Sequence, residues 1–465
     1  MHDRTYRLQA PAMLVRLAAF LLGLCALLGA AATNAQTYDR AELRLLQTMQ
    51  QQQPNDLSRY VYLLQVMPSL SAADRPLAEQ FVSFSQDELG LYTQAVLSFP
   101  LTARTPDNLV LPSTDQWHGV AAADAIATLA TKRRIVLINE AHHNAHTRQL
   151  TLELLPRLRA LGFNYFAAEA LLPGDTDLNK RGYPIRRSGT EYLRDPLYGD
   201  IIRSALRLGF HVVAYDAGTN GQAREDAQAE ALYQAVFARD PTARLFVHAG
   251  YAHIDKAVGR LNTIRPMAMR LQKLTGLEPL SIDQTEFLES DWDKTDPYHC
   301  LIAAFPSTRP EILLNRTDGK PWSAQPALYD VNVILPLSLN MAAFGDFSNS
   351  ARQERSGRLN GTLDSFIQPL SLPRTNTLRR PPWLSLGGQR RPVPISTTLC
   401  RSTLPCVIEA RYADESDAAI TADRYAFMVS PANSTLYLRA GNYRLRATDV
   451  HGKVLSEQTL TIRAP

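Results

Sequence analysis

Cysteine is scarce in this chain, four residues in 465, and one of them, Cys25, sits inside an apolar run near the N-terminus. Leu24 precedes it, which speaks against a lipid-anchored cysteine of the lipoprotein type. Charge of one sign is scarce as well. The formal net charge is +4, and Arg4, Arg7 and Arg16 against Asp3 give residues 1–35 half of it. No Lys/Arg-rich cluster with interleaved aromatics occurs, so nucleic acid is not an expected partner. Long hydrophobic runs are missing too, apart from Leu17–Ala32, which at about 16 residues is short for a spanning helix. The zinc pattern HExxH is absent.

What remains is an ordinary globular composition, 45% hydrophobic and 20% charged. A chain this long exceeds one compact core, so two or three domains are expected. The arginines ahead of Leu17–Ala32 and the small residues Thr33-Asn-Ala35 predict a secretory signal peptide over 1–35. An uncleaved anchor is the competing interpretation of the same run. Export to the periplasm or the cell exterior follows, with no membrane span after cleavage. In that oxidising setting Cys400 and Cys406, bracketing five residues, read as a small disulfide, and Cys300 as a buried thiol.

Residues 36–117 read as a helical segment. Leu43, Leu45, Leu46 and Met49 form one apolar stripe, and Tyr60, Leu63, Leu64 and Met67 another behind Asp56 as a cap. From 118 to 340 the pattern alternates strands and helices. Ile135–Ile138, Tyr165–Ala168, His211–Ala214 and Arg244–Val247 are the predicted strands, and Glu278–Ile282 and Asp330–Leu335 are candidates for two more. Leu150, Leu154, Leu158 and Leu161 line one face of a helix in which Pro156 predicts a kink. The fold class is therefore α/β, a mostly parallel sheet with flanking helices. Residues 341–395, rich in Ser, Arg, Pro and Gly, read as an irregular linker. Residues 396–465 carry short alternating runs broken by Gly441-Asn442 and His451-Gly452, the pattern of a small all-β sandwich-like module.

The chemistry gathers where strands end. The first predicted strand runs into Asn139-Glu-Ala-His142, with His143 and His146 just beyond. The second ends in Glu169, the third in Asp216, and the fourth leads to Gly250-Tyr-Ala-His253. In a parallel sheet these ends share one edge, where ligands bind in open α/β folds. Glu140, His142, Glu169 and His253 are thus expected to meet. A neutral imidazole held by a carboxylate is a general base. Two imidazoles and a carboxylate would instead leave a metal one open position for water. His142 and His146 would share a face if the helix began early. Each residue also has a plain structural role open to it. His248 is expected to point into sheet packing, Glu169 to serve as a cap or salt-bridge partner, and His143 and His146 to sit at a helix start.

These residues carry a likeness. Asn139-Glu-Ala-His142 resembles the Gly-Glu-x-His motif of the superfamily that joins erythromycin esterases, ChaN-type haem-uptake proteins and Tiki-type metalloproteases. Gly250-Tyr-Ala-His253 is similar to its Gly-x-x-His motif, Glu169 to the esterases' second glutamate, and Arg224-Glu225 to their Arg-acidic pair. The likeness spans about 118–260 and leaves the tail unaddressed. Asn139 departs from it by replacing the first motif's glycine, so its side chain either crowds the turn or reaches substrate. The esterases imply His142 as the base that activates water, with Arg224 helping to bind. The metalloproteases imply His142 and His253 as ligands of a divalent metal (Mn, Co or Zn), and the ChaN-type proteins imply haem without catalysis.

The leading expectation is an exported hydrolase of ester or amide bonds acting on a small molecule or peptide. Its catalytic residues are Glu140, His142 and Glu169, and its substrate-facing residues His143, His146, Arg224, Glu225 and Tyr251. His142 and His253 are its metal ligands if a metal takes part. The insertion 171–200, with Tyr183, Arg186, Arg187 and Tyr192, is expected to wall the pocket. The alternatives are an envelope protein that binds haem or metal through these histidines or Tyr251, and an interaction protein acting through its tail.

Overall fold

The computed structural model describes residues 46–48, 50–101, 109–216, 218–289, 296–338, 380–430 and 432–464. The expected leader and most of the expected linker lie outside these residues, as does the first apolar stripe up to Leu45. The N-terminal segment contains the helices α1 (Asp56–Val66), α2 (Arg75–Glu88) and α3 (Tyr92–Ser98). The cap of α1 is Asn55 rather than Asp56. Its side chain accepts the Ser58 N–H at 2.9 Å and satisfies one of the donors that the first turn leaves open.

The central region reads, in order, β1 (Trp117–Ala121), α4 (Ala122–Ala130), β2 (Ile135–Glu140), α5 (His146–Ala160), β3 (Tyr165–Ala168), α6 (Leu178–Arg181), α7 (Pro196–Arg207), β4 (His211–Ala214), α8 (Gly221–Leu232), β5 (Leu245–Gly250), α9 (Met267–Thr275), β6 (Leu280–Asp283), α10 (Pro297–Ala304), β7 (Glu311–Asn315) and β8 (Val331–Ile334). Its strands form one eight-stranded sheet in the order β1-β7-β8-β6-β2-β5-β3-β4. From β8 to β4 every neighbour is parallel. Only β7 is reversed, pairing antiparallel with β8 and with the edge strand β1. The fold is thus α/β, as the alternation of strands and helices predicts. β2 is buried along its whole length, which suits its continuous apolar run to a central parallel strand covered on both faces. α5 packs Leu150, Leu154 and Leu158 inward and continues past Pro156, which lies exposed on its outer face.

The tail is an antiparallel β module. A four-stranded sheet, β11-β10-β13-β14, comprises β10 (Cys406–Tyr412), β11 (Asp423–Phe427), β13 (Gly441–Asp449) and β14 (Val454–Ile462). A two-stranded sheet pairs β9 (Arg391–Ser396) with β12 (Asn433–Leu438). Ile395, Leu436 and Leu438 of the small sheet share an apolar core with Ile408, Phe427 and Leu445 of the larger one. Cys400 and Cys406 are joined in a disulfide. Because β9 begins at Arg391, the module starts inside the stretch expected to be linker.

The helical segment, the sheet region and the tail module share one core. Leu63 and Phe81 of the first helices, Ile138 and Ile201 of the sheet region, and Val407 and Ile420 of the module belong to the same buried apolar cluster. Each such side chain contributes roughly 1.5–3 kcal/mol on burial, so the three segments hold one another in place. Charges tie them further. Asp56 receives Arg424 of β11 at 2.6 Å, Arg59 at 2.7 Å and Arg186 at 3.0 Å. Among the described residues no helix is long and apolar enough to cross a membrane.

Candidate functional site

The parallel register delivers the ends of β2, β3, β4 and β5 to one edge, and each delivers polar groups there. At β2, Glu140 closes the strand and Ala141–Asn144 forms a turn before α5, which leaves His142 outside the helix. The turn folds the imidazole back on the strand end, so His142 Nδ1 lies 3.1 Å from Glu140 Oε1. Arg148, in the first turns of α5, donates Nε to the other oxygen, Glu140 Oε2, at 2.6 Å. Burial would push the Glu140 carboxyl up, but Arg148 and the hydrogen bond to His142 hold it well below the usual carboxylate range. An anion on Nδ1 selects the tautomer with its proton there and leaves Nε2 as the free acceptor.

At β3, Glu169 lies next to the strand end, with Oε2 accepting the Gly250 N–H at 2.5 Å and Oε1 the Arg224 Nη2 at 2.6 Å. His142 Nε2 and Glu169 Oε2 both border the space over Gly250. A Cβ at position 250 would fall 2.8 Å from that nitrogen and 3.1 Å from that oxygen. The glycine of the second motif therefore gives His142 its room, since φ −80° at Gly250 is a backbone any residue adopts. His253 follows in a short turn, with Nδ1 2.7 Å from Glu225 Oε1 and Nε2 3.3 Å from Glu169 Oε1. Burial would lower the His253 imidazole, but Glu225 and Glu169 carry it up to about 10, so it is a cation at neutral pH. Glu169 in turn is held below the carboxylate range by His253 and Arg224 against the opposing effect of burial.

Of the four residues expected to meet, Glu140 contacts His142 and Glu169 contacts His253, and both His142 and Glu169 lie close to Gly250. Three others take different roles from those expected. Arg224 was expected to bind substrate, but its Nε contacts Asp216 Oδ1 at 3.1 Å and its Nη2 contacts Glu169, so its fork is spent on the chain's own carboxylates. Glu225 faces His253 and the Met267 N–H rather than an open pocket. His146 does not share a face with His142, because the helix starts only at His146; its ring stacks on Trp383, with centroids 4.6 Å apart. His143 stacks on Phe99 at 3.5 Å, and Tyr251 Oη lies 3.4 Å from its Nδ1. Burial lowers both His143 and His146 to about 3, so both stay neutral.

Asn139 neither crowds the turn nor points to an open pocket. Its amide donates to Tyr251 O at 2.8 Å and Asp283 Oδ1 at 2.7 Å and accepts the Gln284 N–H, stitching the ends of β2, β5 and β6 together. His248 is buried in the sheet packing as expected and bonded to Thr151 at 2.9 Å, yet its Nε2 also approaches Glu140 Oε2 at 3.4 Å. Within the insertion, Tyr192 lies on the face of His142, while Arg186 turns to Asp56 and Tyr183 Oη accepts the Ser416 N–H. Arg148 and Asp87, absent from the expected set, are both at the site. Their signal in the sequence was weak: an arginine two residues past His146, and an aspartate in a helix without motif.

The set fits a proton-transfer site better than a metal centre. His253, one of the two expected ligands, has Glu225 against Nδ1 and Glu169 against Nε2, whereas a metal needs an imidazole with a free lone pair. Among the described residues no group of three or more His, Cys, Asp or Glu side chains is arranged to hold a metal ion. Of the rings expected to bind haem iron, His143 has one face covered by Phe99 and its Nδ1 facing Tyr251 Oη. What the fold and site define is an α/β protein with a carboxylate-held imidazole at the carboxyl edge of its parallel sheet. No protein-family model matches the chain, and neither a curated protein nor a solved structure is similar to it.

Proposed function

We propose that the chain is an exported hydrolase of ester or amide bonds in which His142 is the general base, related to the erythromycin-esterase branch of the superfamily its motifs resemble. The observation that carries this reading is the Glu140–His142 contact at 3.1 Å, with the opposite ring nitrogen turned toward Gly250 and Glu169. Glu140 holds the proton on Nδ1. Nε2 takes a proton from water as that water attacks the carbonyl carbon, and returns it to the leaving alkoxide or amine. Arg224 and His253 hold Glu169 in place beside the base. A base fixed in tautomer and orientation accounts for general acid–base factors of roughly 10²–10⁴.

The test is hydrolysis of p-nitrophenyl acetate and butyrate, and of a peptide mixture, by the purified protein with and without EDTA. Turnover that survives the chelator and falls at least ~100-fold in His142→Ala supports the reading. Activity that needs added Mn, Co or Zn, or that persists in His142→Ala, overturns it. A strong Soret band in the purified protein would point to haem carriage instead.

A further inference from the structure

We propose that Arg148 is a positioning residue for the His142 base, anchored by Asp87 of α2 and Asp195 at the start of α7, so that the leading helical segment completes the site. The proposal rests on the general-base reading above.

Arg148 is 1% exposed and touches both members of the dyad. Nε donates to Glu140 Oε2 at 2.6 Å, and Nη2 donates to the His142 carbonyl at 3.3 Å. One guanidinium thus fixes the carboxylate that selects the His142 tautomer and the backbone that carries the ring. The remaining face of the fork points out of the sheet region. Nη1 meets Asp87 Oδ2 at 2.5 Å and Asp195 Oδ1 at 3.4 Å. Each aspartate is tied down in turn. Asp87 Oδ1 accepts the Ala145 N–H at 3.2 Å, in the turn that presents His142. Asp195 caps α7 through the Tyr198 N–H and accepts Tyr92 Oη of α3 at 3.0 Å.

A purely structural arginine would equally explain a buried, well-paired guanidinium. The connectivity argues for more. Tertiary glue between α2 and α5 needs only Asp87 and Arg148. It does not need the fork to end on the second oxygen of the carboxylate whose first oxygen holds the imidazole. Burial raises the Asp87 carboxyl to about 8 despite Arg148.

The experiment uses the full-length chain labelled with ¹⁵N-histidine, His142 being assigned by its loss in His142→Ala. The imidazole nitrogen shifts report the tautomer directly, whether or not any ester is turned over. In Arg148→Met the resonance pair is expected to move from a single Nδ1–H form to a tautomer mixture, and kcat to fall about 10²-fold with KM within about threefold. Arg148→Lys, which keeps the charge but not the fork, is expected to lie between. Asp87→Asn, nearly isosteric, covers the case in which Arg148→Met does not fold, and should move the shifts in the same sense with kcat down about threefold to tenfold. Wild-type shifts in folded Arg148→Met, or in Asp87→Asn when Arg148→Met does not fold, overturn the proposal. Moved shifts in a protein that hydrolyses nothing support the positioning role and reject the hydrolase reading.

Discussion

His142 and Tyr192 lie face to face, with ring centroids 4.0 Å apart and planes 11° from parallel. Phe84 and Tyr251 meet the same imidazole edge-on, at 6.3 and 5.0 Å. Three aromatic rings from three parts of the chain thus limit how the base can turn, and Tyr192, from the insertion, covers the broad face.

Removing that cover should separate orientation from hydrogen bonding. Tyr192→Phe keeps the stacked ring and is expected to keep kcat within roughly twofold. Tyr192→Ala leaves the imidazole free to tilt and opens a cavity. It is expected to lower kcat about tenfold and stability by about 3 kcal/mol. Steady-state kinetics on the ester substrate with urea unfolding of both variants checks this, and equal kinetics for the two would remove Tyr192 from the site.

Gly250→Ala tests the crossing point of His142 and Glu169. The added methyl would sit 2.6 Å from His142 Cε1, a distance no carbon pair tolerates, so the ring must move. The backbone there is ordinary, so the cost falls on packing: about 1–3 kcal/mol of stability. A displacement near 1 Å would lower kcat/KM about 10²-fold. An active Gly250→Ala would mean that the imidazole is not where catalysis happens.

Much of this arrangement could be read from the residues alone. Glu140, Glu169 and His253 were legible because strands ending in acid or histidine have little other use for them, and a parallel sheet must align those ends. The strand pair β1 and β7 was not legible. Its sequences, WHGVA and EILLN, are short and lie beyond the parallel rhythm, at an antiparallel edge. Arg148 and Asp87 were missed for a different reason. They reach the site through tertiary docking of helices, and periodicity within a segment says only which face is buried, not against what. Tyr192 was named only as part of a pocket wall, and it lies on the face of His142. Arg224 was found but misassigned, since a motif cannot reveal that Asp216 and Glu169 claim its fork.

His146 predicts a pH effect that a difference measurement isolates. Buried against Trp383, its imidazole is lowered to about 3, against about 6.5 when unfolded. A base depressed on folding contributes stability that is fully present above about pH 6.5 and is lost as pH falls toward about 3. His146→Phe keeps a ring on Trp383 and removes the proton. The variant should therefore gain on the wild type by up to about 1.4 kcal/mol per pH unit over that window. Chemical denaturation at pH 7.5, 5.5 and 4.5 reads the trend, and a constant difference between the two proteins would contradict it.

Asp56 supports the last prediction, because four arginines converge on its carboxylate: Arg424, Arg59, Arg186 and Arg194, the farthest at 3.4 Å. They come from β11, α1 itself and the insertion, so one carboxylate clamps the helical segment to the rest of the molecule. Burial would raise it, but Arg424, Arg59 and Arg186 hold it far below the usual range. Asp56→Asn leaves those cations facing a neutral amide and is expected to cost about 3–5 kcal/mol at pH 7. A carboxylate depressed on folding contributes stability that is present above its unfolded value near 3.8 and lost as pH falls below it. The gap between Asp56→Asn and wild type should therefore begin to narrow as pH drops from 4 to 3, by no more than about 1.4 kcal/mol per pH unit. Because α2 carries Asp87 and Phe84 to the base, ester turnover should fall with the clamp at temperatures where the variant is still folded. Full activity in a destabilised Asp56→Asn would show that the helices hold the fold without shaping the site.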